Sequence, residues 1–524
     1  NEGASVTLTR VVFANNRADG MSAGGGAVAS LGGRVAADRT DFVGNTARSA
    51  DGFDSFGGAV LADGGATVGI GRGTFAGNAV FGGNANGGAV GVVGGSRATF
   101  TATDFVGNSA QGGLTTGDRF GDGFGGAIAV ERLGLVASGA SVLTVAGSSF
   151  TGNQVSTRTP TNGSDGGEAD GGAIDAEDGA VVLVTGSTFT GNLARGGTGS
   201  AGGGFGGAAS GGALRNASAN VTVRGSRFVG NEVRGGNGGA GAPGGDGGDA
   251  GFGLGGAIAS TALSDTLVPP VTAVEGCVFV GNLARGGDGG VGGAGGNGGF
   301  GGRGDGGGII NLIGSITVAD TSILLNTARG GTGGVAGIGA ETVGGDGGLT
   351  RGGGFSNERG GTATVTRTLI VGNRAIGGAG AAGGNGGDAF GGGVFNGRPK
   401  GAPFAPADQA ATLAIFNSVI ALDVATGGAG GAFGNGGSAF GGGIFNGNPV
   451  PVAGTPSVTI LGTTVSFNAA TGGAAGAGGV LGLGQGGGLY NQDGALASAD
   501  AASKIKWNDA STSGDDLFGF LLVI

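Results

Sequence analysis

A four-residue motif, Phe-x-x-Asn, recurs along this chain and limits the folds open to it more than any other feature. Phenylalanine leads the first eight copies and an aliphatic residue leads the later ones, while the fourth position is Asn in nearly all of them. Neighbouring copies lie between 29 residues apart (Phe13 to Phe42) and 51 residues apart (Phe228 to Phe279). Repeats of about this length are typical of a solenoid, in which each repeat packs only on its neighbours.

Each repeat also contains the pattern of short strands. Aliphatic pairs such as Val221 and Val223 precede the motif at alternate positions, and this alternation indicates a strand with one buried face. A second anchor lies between the copies: Gly-Gly-Ala or Gly-Gly-Gly, followed by an apolar residue such as Ile174. No window has the spacing of an amphipathic helix, so two or three short strands are predicted in each repeat.

These columns predict an all-β fold: a single-stranded parallel β-helix of about 12 to 13 coils, forming one continuous domain over residues 1–524. Equivalent residues would then stack at the strand separation of about 4.8 Å. A buried Asn at a bend can satisfy backbone groups and bond to the next Asn. The motif therefore predicts a structural ladder of rings and amides, which includes Phe42, Asn45, Phe105, Asn108, Phe150, Asn153, Phe189, Asn192, Phe228, Asn231, Phe279, Asn282, Asn326 and Asn373.

The paired motifs resemble a known repeat family. Gly125-Gly126-Ala127-Ile128 with Phe105-Val106-Gly107-Asn108, and Gly255-Gly256-Ala257-Ile258 with Phe279-Val280-Gly281-Asn282, are similar to the repeat of polymorphic outer-membrane proteins. This resemblance implies a right-handed parallel β-helix in a bacterial surface or autotransported protein. It specifies the fold and leaves the function open, because β-helices serve as adhesins, lyases, tailspikes and scaffolds.

Glycine-rich inserts lengthen the later repeats, most of all between about residues 195 and 490. The stretch from Gly286 to Gly308 reads GGDGGVGGAGGNGGFGGRGDGGG, and its period of three fits an extended helix without internal hydrogen bonds. Alone, such a tract would be disordered, since glycine loses the most backbone freedom on ordering. Two alternatives remain: mobile loops, or tracts packed side by side as polyglycine-II-like strands. A resemblance to polyglycine-II antifreeze proteins is confined to these tracts.

Catalytic and metal sites are weakly indicated. The chain has no histidine, which removes Ser-His-Asp and Cys-His machinery and the usual zinc hydrolase sites. Glu168, Asp170 and Asp175 could bind Ca²⁺ or act as acid and base, but a solvated acidic loop on a protein of charge −10 is the preferred interpretation. Asp388 lies in a toxin-type nonapeptide that lacks the close tandem copies needed to share an ion. We therefore expect no enzyme and no cofactor, with Ca²⁺ and a calcium-dependent polysaccharide lyase as the alternatives.

Four arginines follow the repeat Asn at the same distance: Arg195, Arg234, Arg285 and Arg329. In register they would form a polyanion stripe able to bind surface polysaccharide, or a solvated edge paired with acids of the following inserts. The tripeptide Arg303-Gly304-Asp305 can be read as an adhesion motif, although such a triplet arises easily in a glycine tract. A net charge of −10 argues against nucleic acid as a partner.

Several features favour an extracellular, cell-surface location. Cys277 is the single cysteine and cannot form an internal disulfide. The chain begins with Asn1 rather than Met, which is typical of a processed form. No apolar run reaches the roughly 18 residues of a transmembrane segment.

The C-terminal segment, residues 510–524, is apolar at its end and is a candidate cap or inter-subunit strand. Bare β-helix ends are prone to association. We therefore predict a structural protein whose rods join head to tail into a filament, with a glycan-binding or matrix-binding adhesin as the alternative. The predicted assembly residues are Leu517, Phe518, Phe520, Leu521, Leu522, Val523 and Ile524.

Overall fold

The computed structural model describes residues 3–50, 52–113, 121–131, 139–160, 163–262, 268–339, 341–398, 410–448 and 454–524. The described residues form five parallel sheets, and each strand pairs with the equivalent strands of the coils before and after it. The fold is thus a parallel β-helix, as the sequence predicts, with the right-handed coil that the resemblance implies. A full coil contains five short strands rather than two or three, because each turn interrupts the backbone pairing.

Sheets 1 to 3 are numbered in the order in which a coil passes through them. Sheet 1 consists of Ser5–Thr9, Arg34–Asp38, Thr67–Gly71, Arg97–Thr101, Val142–Ala146, Val181–Thr185, Asn220–Arg224, Val271–Glu275, Ser315–Ala319, Thr362–Thr366, Thr412–Phe416, Ser457–Leu461, Leu496–Ala499 and Leu522–Val523. Sheet 2 consists of Val12–Ala14, Asp41–Val43, Thr74–Ala76, Asp104–Val106, Ser149–Thr151, Thr188–Thr190, Arg227–Val229, Val278–Val280, Ser322–Leu324, Leu369–Val371, Val419–Ala421, Thr464–Ser466 and Lys504–Lys506. Sheet 3 consists of Arg17–Gly20, Thr46–Ser49, Ala79–Gly82, Ser109–Gly112, Gln154–Thr157, Leu193–Arg195, Glu232–Arg234, Leu283–Arg285, Thr327–Arg329, Arg374–Ile376, Val424–Thr426, Ala469–Thr471 and Asp509–Ala510.

Sheets 4 and 5 complete the coil. Sheet 4 consists of Ala23–Gly24, Ser55–Phe56, Ala85–Asn86, Gly123–Phe124, Ala169–Asp170, Ala209–Ser210, Gly253–Leu254, Gly304–Asp305, Thr350–Arg351, Ala389–Phe390, Ala439–Phe440 and Gly484–Gln485. Sheet 5 consists of Val28–Leu31, Val60–Asp63, Val90–Val92, Ile128–Val130, Ile174–Glu177, Leu214–Ala217, Ile258–Thr261, Ile309–Leu312, Phe355–Glu358, Val394–Gly397, Ile444–Gly447, Leu489–Asn491 and Leu517–Phe518.

Sheets 1, 2 and 5 enclose the main core. It contains the ladder phenylalanines of sheet 2, the alternating aliphatic residues of sheet 1 and the apolar residue of each Gly-Gly anchor in sheet 5. Sheets 3 and 4 close against each other around a narrower column of alanine and valine, such as Ala47, Val80 and Ala85. The period-two alternation of the sequence explains this arrangement, because every second residue of a strand points inward.

The Gly-Gly anchor forms the turn between sheets 4 and 5. Its first glycine has a left-handed backbone, as in Gly171 with φ +65°, a conformation that costs glycine nothing. Its second glycine touches the coil above: a Cβ on Gly172 would lie 2.0 Å from the carbonyl oxygen of Gly212. Both positions therefore require glycine, which explains why the anchor recurs.

The glycine-rich inserts form hairpins that project between sheets 3 and 4. We call the stack of tracts 196–208, 235–252, 286–303, 330–339 with 341–349, 377–388, 427–438 and 472–483 the glycine layer. Each tract has an outgoing leg that follows sheet 3 and a returning leg that enters sheet 4. The legs are joined by backbone hydrogen bonds, including Gly251 N–H to Gly236 O (2.8 Å) within one tract and Gly287 N–H to Gly251 O (3.0 Å) between tracts.

Close contact between legs explains the Gly-Gly-X period. A Cβ on Gly236 would lie 1.8 Å from the carbonyl oxygen of Gly197, and one on Gly287 would lie 2.0 Å from that of Gly236. Only the third residue of each triplet points outward. Where that residue is Asn or Asp, it caps the next coil: the Asp246 carboxylate accepts the Asn297 amide N–H at 2.6 Å. The tracts are therefore ordered by one another.

Candidate functional site

The aromatic part of the structural ladder forms one continuous stack inside the main core. The rings of Phe13, Phe42, Phe75, Phe105, Phe150, Phe189, Phe228 and Phe279 stack in this order with centroid distances of 4.6 to 5.2 Å. From Phe42 onward each of these rings is fully buried. Buried, stacked rings hold successive coils in register, so this column is structural.

The amide part of the ladder runs along the turn between sheets 2 and 3. The Asn153 side chain donates to Asn192 Oδ1 (2.9 Å) and to the Phe105 carbonyl (3.0 Å), and the same pattern runs from Asn45 to Asn373. At the next coil the position is Asp423, whose Oδ1 accepts from Asn373 while its buried Oδ2 has no partner. Burial raises the pKa of Asp423 well above its usual range, although the bonds from Asn373 oppose this.

The four arginines of the predicted polyanion stripe lie side by side on the outer face of sheet 3. The strand register pairs Arg195 with Arg234, Arg234 with Arg285, and Arg285 with Arg329. Their side chains meet the start of the outgoing legs, and the first three line a cleft of about 120 Å³. We call these four residues the arginine column.

Two carboxylates partly neutralise the arginine column. Glu232 forms an ion pair with Arg234, and its hydrogen bond raises the pKa of that arginine. Asp288 lies 2.9 Å from Arg285. Partial burial opposes ionisation of Asp288, but hydrogen bonds from Thr332 and the Arg285 charge lower its pKa. Within the described part of the chain, Arg195 and Arg329 have no carboxylate within ion-pair distance.

The acidic residues that the sequence offered as metal ligands surround an arginine. Arg215 Nη1 lies 3.0 Å from Asp170, 3.3 Å from Asp175 and 2.6 Å from Glu177. Ser210 donates a short hydrogen bond to Asp170. All of these side chains lie where the outer faces of sheets 4 and 5 meet, which we call the seam. Asp170 and Asp175 are therefore buried, and the prediction of a solvated acidic loop is wrong for them.

The seam holds more carboxylates than one arginine can neutralise. Burial raises the pKa of Asp170 and Asp175 despite the Arg215 charge, and it raises that of Glu131 to about 8 with help from the Glu177 charge. Glu168 lies at the exposed margin of the seam. Its partial burial and the Asp170 charge raise its pKa to about 7.

Metal binding finds little support in this geometry. The Arg215 guanidinium occupies the centre that a cation would take, and among the described residues no group of three or more Cys, Asp or Glu is arranged to hold a metal ion. Asp388 lies far along the glycine layer, where its carboxylate accepts the Ser438 amide N–H at 2.7 Å. There it has the same capping role as other acids of the layer.

A second charged cluster in the seam includes the possible adhesion tripeptide. Asp305 pairs with Arg303 at 2.9 Å and with Arg351 at 3.1 Å, and Arg351 lies 3.6 Å from Glu358. Asp305 is fully buried, and burial raises its pKa to about 6. A receptor cannot reach a buried Asp, so the adhesion interpretation of Arg303-Gly304-Asp305 is wrong.

The seam was missed in the sequence. Its side chains come from the residue before each Gly-Gly anchor and the residue after the anchor's apolar position. The two match in character in some coils, as Asp170 with Asp175 and Phe390 with Phe395, but Asp305 is followed by Ile310 in another. The sequence therefore has no consistent signal that the two positions touch.

The predicted assembly segment divides into two parts. Leu517 and Leu521 pack against the main core, and the Phe518 ring stacks on Tyr490 at 4.8 Å. Phe520, Leu522, Val523 and Ile524 remain between 51% and 74% exposed. Leu522–Val523 pairs with sheet 1 of the last coil. Part of the segment thus closes the chain's own last coil, and only the remainder is available to a neighbour.

Comparisons with known proteins assign no family to this chain. No family model matches the chain and no curated protein matches it, so the resemblance to the polymorphic outer-membrane repeat stays a prediction. Among solved structures, the chain is similar to a periplasmic alginate epimerase (8% identity, TM-score 0.29, covering 94% of this chain and 77% of that one). It is also similar to a rhamnogalacturonan lyase (12% identity, TM-score 0.30, covering 76% and 74%).

Both of these solved proteins are enzymes, and the expectation that this chain is not an enzyme is therefore withdrawn. The missing histidine excludes some catalytic machinery, but carboxylates and arginines remain available. At such identities and TM-scores the likeness assigns no reaction to this chain. The described residues contain no helix that could cross a membrane.

Proposed function

We propose that the chain is an exported β-helical rod that binds anionic polysaccharide along the arginine column. The observation that carries this proposal is the register that places Arg195, Arg234, Arg285 and Arg329 on four consecutive strands. Like charges directly opposite each other destabilise a sheet. A row of four arginines therefore lowers the stability of the fold. Binding of a repeating polyanion would explain why the row is present.

The surroundings of the arginine column support binding. Guanidinium groups recognise carboxylates and sulfates through paired hydrogen bonds, which a periodic rod can repeat at each coil. The glycine layer rises beside the column and adds a wall, so the arginines line a cleft rather than a flat edge. We infer that its tracts pack in the manner of polyglycine II, which would make this wall rigid. An extracellular, cell-surface location belongs to the same proposal.

Binding of polygalacturonate, a polymer of uronic acid, tests this proposal. We expect the wild-type rod to bind it in titration calorimetry at low salt and to lose affinity as salt is added. The double variant Arg195→Gln with Arg329→Gln removes the two arginines of the column to which no described residue offers a carboxylate partner. Its affinity should fall by about tenfold, equivalent to about 1.4 kcal/mol.

A matched variant separates the arginine column from general charge. Arg10→Gln with Arg97→Gln removes the same charge from exposed positions on another side of the rod, and its affinity should stay near that of the wild type. Equal losses of affinity in the two double variants would show that net charge alone explains the binding. A wild-type protein that does not bind polygalacturonate would contradict the proposal.

A second function, end-to-end self-association, is favoured by the apolar patch on the last coil. Phe520, Leu522, Val523 and Ile524 lie together there, and such patches on soluble proteins usually mark contact surfaces. At the other end, the described strand Ser5–Thr9 pairs on one side only. A contact between these two ends is heterologous and would extend into a filament.

Sedimentation velocity over a range of concentrations tests self-association. The wild type should form species whose mass grows with concentration, and Val523→Lys with Ile524→Lys should remain monomeric. Ile338→Lys, at a residue 93% exposed on the glycine layer, serves as the control and should still associate. A monomeric wild type would exclude this function.

A further inference from the structure

The returning legs of the glycine layer form a cleft on the side away from the arginine column. Its volume is about 510 Å³. Phe205, Phe252 and Phe300 supply its apolar surface, and Asp165 and Asp249 supply its charge. Glu168 also lines the cleft, and backbone glycines form most of its floor. Clefts with aromatic walls and a few polar groups are typical ligand sites.

The three rings come from successive tracts and remain accessible. Phe205, Phe252 and Phe300 are 53%, 41% and 55% exposed. Exposed phenylalanines on three neighbouring coils leave apolar area in water that the fold does not use. Their spacing along the rod suits a ligand that extends over several coils.

Two of the carboxylates are held in fixed orientations. Asp165 Oδ1 accepts the Phe205 amide N–H at 2.8 Å, and Asp249 Oδ1 accepts the Phe300 amide N–H at 2.8 Å. Each of these bonds uses one carboxylate oxygen. In the described part of the chain, the second oxygen of each group accepts no hydrogen bond, which leaves it able to accept from a ligand.

The charge of the cleft selects a cation. Its lining residues include three acids and neither lysine nor arginine. The nearest cation, the buried Arg303 guanidinium, lies over one face of Phe252 with its carbon 4.2 Å from the ring centroid, and its charge is paired with Asp305 at 2.9 Å. Aromatic faces beside carboxylates attract ammonium groups through ion pairing and cation–π contact together.

We propose that this cleft binds the amino sugar units of a cationic polysaccharide, with sugar rings against the phenylalanines and ammonium groups against Asp165 and Asp249. The proposal rests on the proposed function only in that both ligands are polysaccharides. The two sites lie on opposite sides of the glycine layer and select opposite charges. A failure of one therefore leaves the other testable.

Glucosamine hexamer is the probe, measured by titration calorimetry against N-acetylglucosamine hexamer and hexalysine. We expect glucosamine hexamer to bind at least tenfold more tightly than either of the others. Equal binding of the acetylated hexamer would overturn the role of the ammonium groups, and equal binding of hexalysine would overturn the role of the sugar. A lack of binding by glucosamine hexamer would overturn the whole proposal.

Two variants test whether glucosamine hexamer binds in the cleft. Phe205→Ala with Phe300→Ala should weaken it at least tenfold, whereas Phe433→Ala, at a 79% exposed ring elsewhere on the glycine layer, should leave it unchanged. Asp249→Asn keeps the oxygen that accepts the Phe300 N–H, so the fold is preserved, and it should also weaken binding. Unchanged affinity in both cleft variants would overturn the proposal. Polygalacturonate titration of the same variants reports separately on the arginine column.

Discussion

The β-helix body and the glycine layer stack at the same strand spacing, but they bury different parts of the chain. In the body, side chains such as Phe189 and Ile174 fill the space between sheets. In the layer, Gly236 and Gly287 bring backbone against backbone, and the side chains point outward. The body is therefore held by apolar burial, and the layer by hydrogen bonds and close contacts that only glycine permits. The layer depends on the body to bring its tracts together.

The largest expected effect lies in the ladder of the body. Phe189→Ala removes a fully buried ring stacked on Phe150 and Phe228 at 4.7 and 4.6 Å. The free energy of unfolding in urea should fall by about 3–5 kcal/mol, the usual cost of a large cavity. Phe433→Ala, at an exposed ring of the layer, should change it by less than about 0.5 kcal/mol. Similar losses in the two variants would mean that the layer carries as much apolar burial as the body.

The seam lies between sheets 4 and 5 of the body, and Arg215→Met tests how its charges are held. The variant leaves Asp170, Asp175 and Glu177 without their common partner, so stability at neutral pH should fall by about 3–5 kcal/mol. The pKa values of these carboxylates are raised in the fold, so the folded state binds more protons than the unfolded one. The Arg215 charge lowers these pKa values, so its removal should raise them further. The loss should therefore be small at low pH, where the carboxylates are protonated in both proteins, and should grow as pH rises.

Thermal unfolding of wild type and Arg215→Met between pH 4 and 8 provides this measurement. Arg97→Gln, at an exposed arginine of sheet 1, is the control and should follow the wild-type curve. A loss of equal size at every pH would show that Arg215 contributes by packing rather than by charge.

A smaller effect is expected from a single methyl group in the layer. Gly287→Ala would place a Cβ 2.0 Å from the Gly236 carbonyl oxygen, so the tracts must separate at a cost of about 1–3 kcal/mol. Hydrogen exchange should become faster at amides of the layer, such as those of Gly287 and Gly302, while ladder amides of the body keep their protection. Val291→Ala, at an outward position of the same tract, should alter neither. Unchanged exchange in Gly287→Ala would show that the tracts do not pack through their backbones.

The smallest expected effect is a gain in stability when Asp423, an acid in the column of buried ladder amides, is replaced by Asn. Asp423→Asn restores the donor that neighbouring coils have and removes an unpaired oxygen, so stability should rise by about 1 kcal/mol at neutral pH. The pKa of Asp423 is raised in the fold, so wild-type stability falls as pH rises above the unfolded value of about 3.9. Urea unfolding at pH 4 and pH 7 should show a larger gain at pH 7. A gain that does not depend on pH would rule out ionisation as the cause.

Much of the body could be predicted because its columns repeat. The Phe and Asn positions recur at fixed places relative to period-two strands, so stacking them required only the parallel β-helix fold. The alignment of Arg195, Arg234, Arg285 and Arg329 followed from the same register. The number of strands per coil did not follow, because two-residue strands such as Ala169–Asp170 have no periodicity to read.

The binding surfaces of the layer were harder to predict. Phe205 and Phe300 lie four residues before their strands of sheet 4, whereas Phe252 lies one residue before its strand, so the three rings share no column. Only the hydrogen bonds between returning legs bring them to one cleft. Glu168, Asp170 and Asp175 look like one acidic loop in the sequence. The fold separates them, leaving Glu168 at the rim and burying the other two around Arg215, which lies a whole coil away.

By itself the sequence determined which residues share a column, because the spacing within each repeat sets the height and face of every strand residue. Glycine at two of every three positions likewise determined that the tracts could approach closely. Only the tertiary structure decided what lies across from each column. Sheets 4 and 5 meet at an angle set by the Gly-Gly turn, and this angle turns outward residues such as Asp175 and Arg215 into a buried seam. Contacts between faces depend on how a coil bends, which no local period encodes.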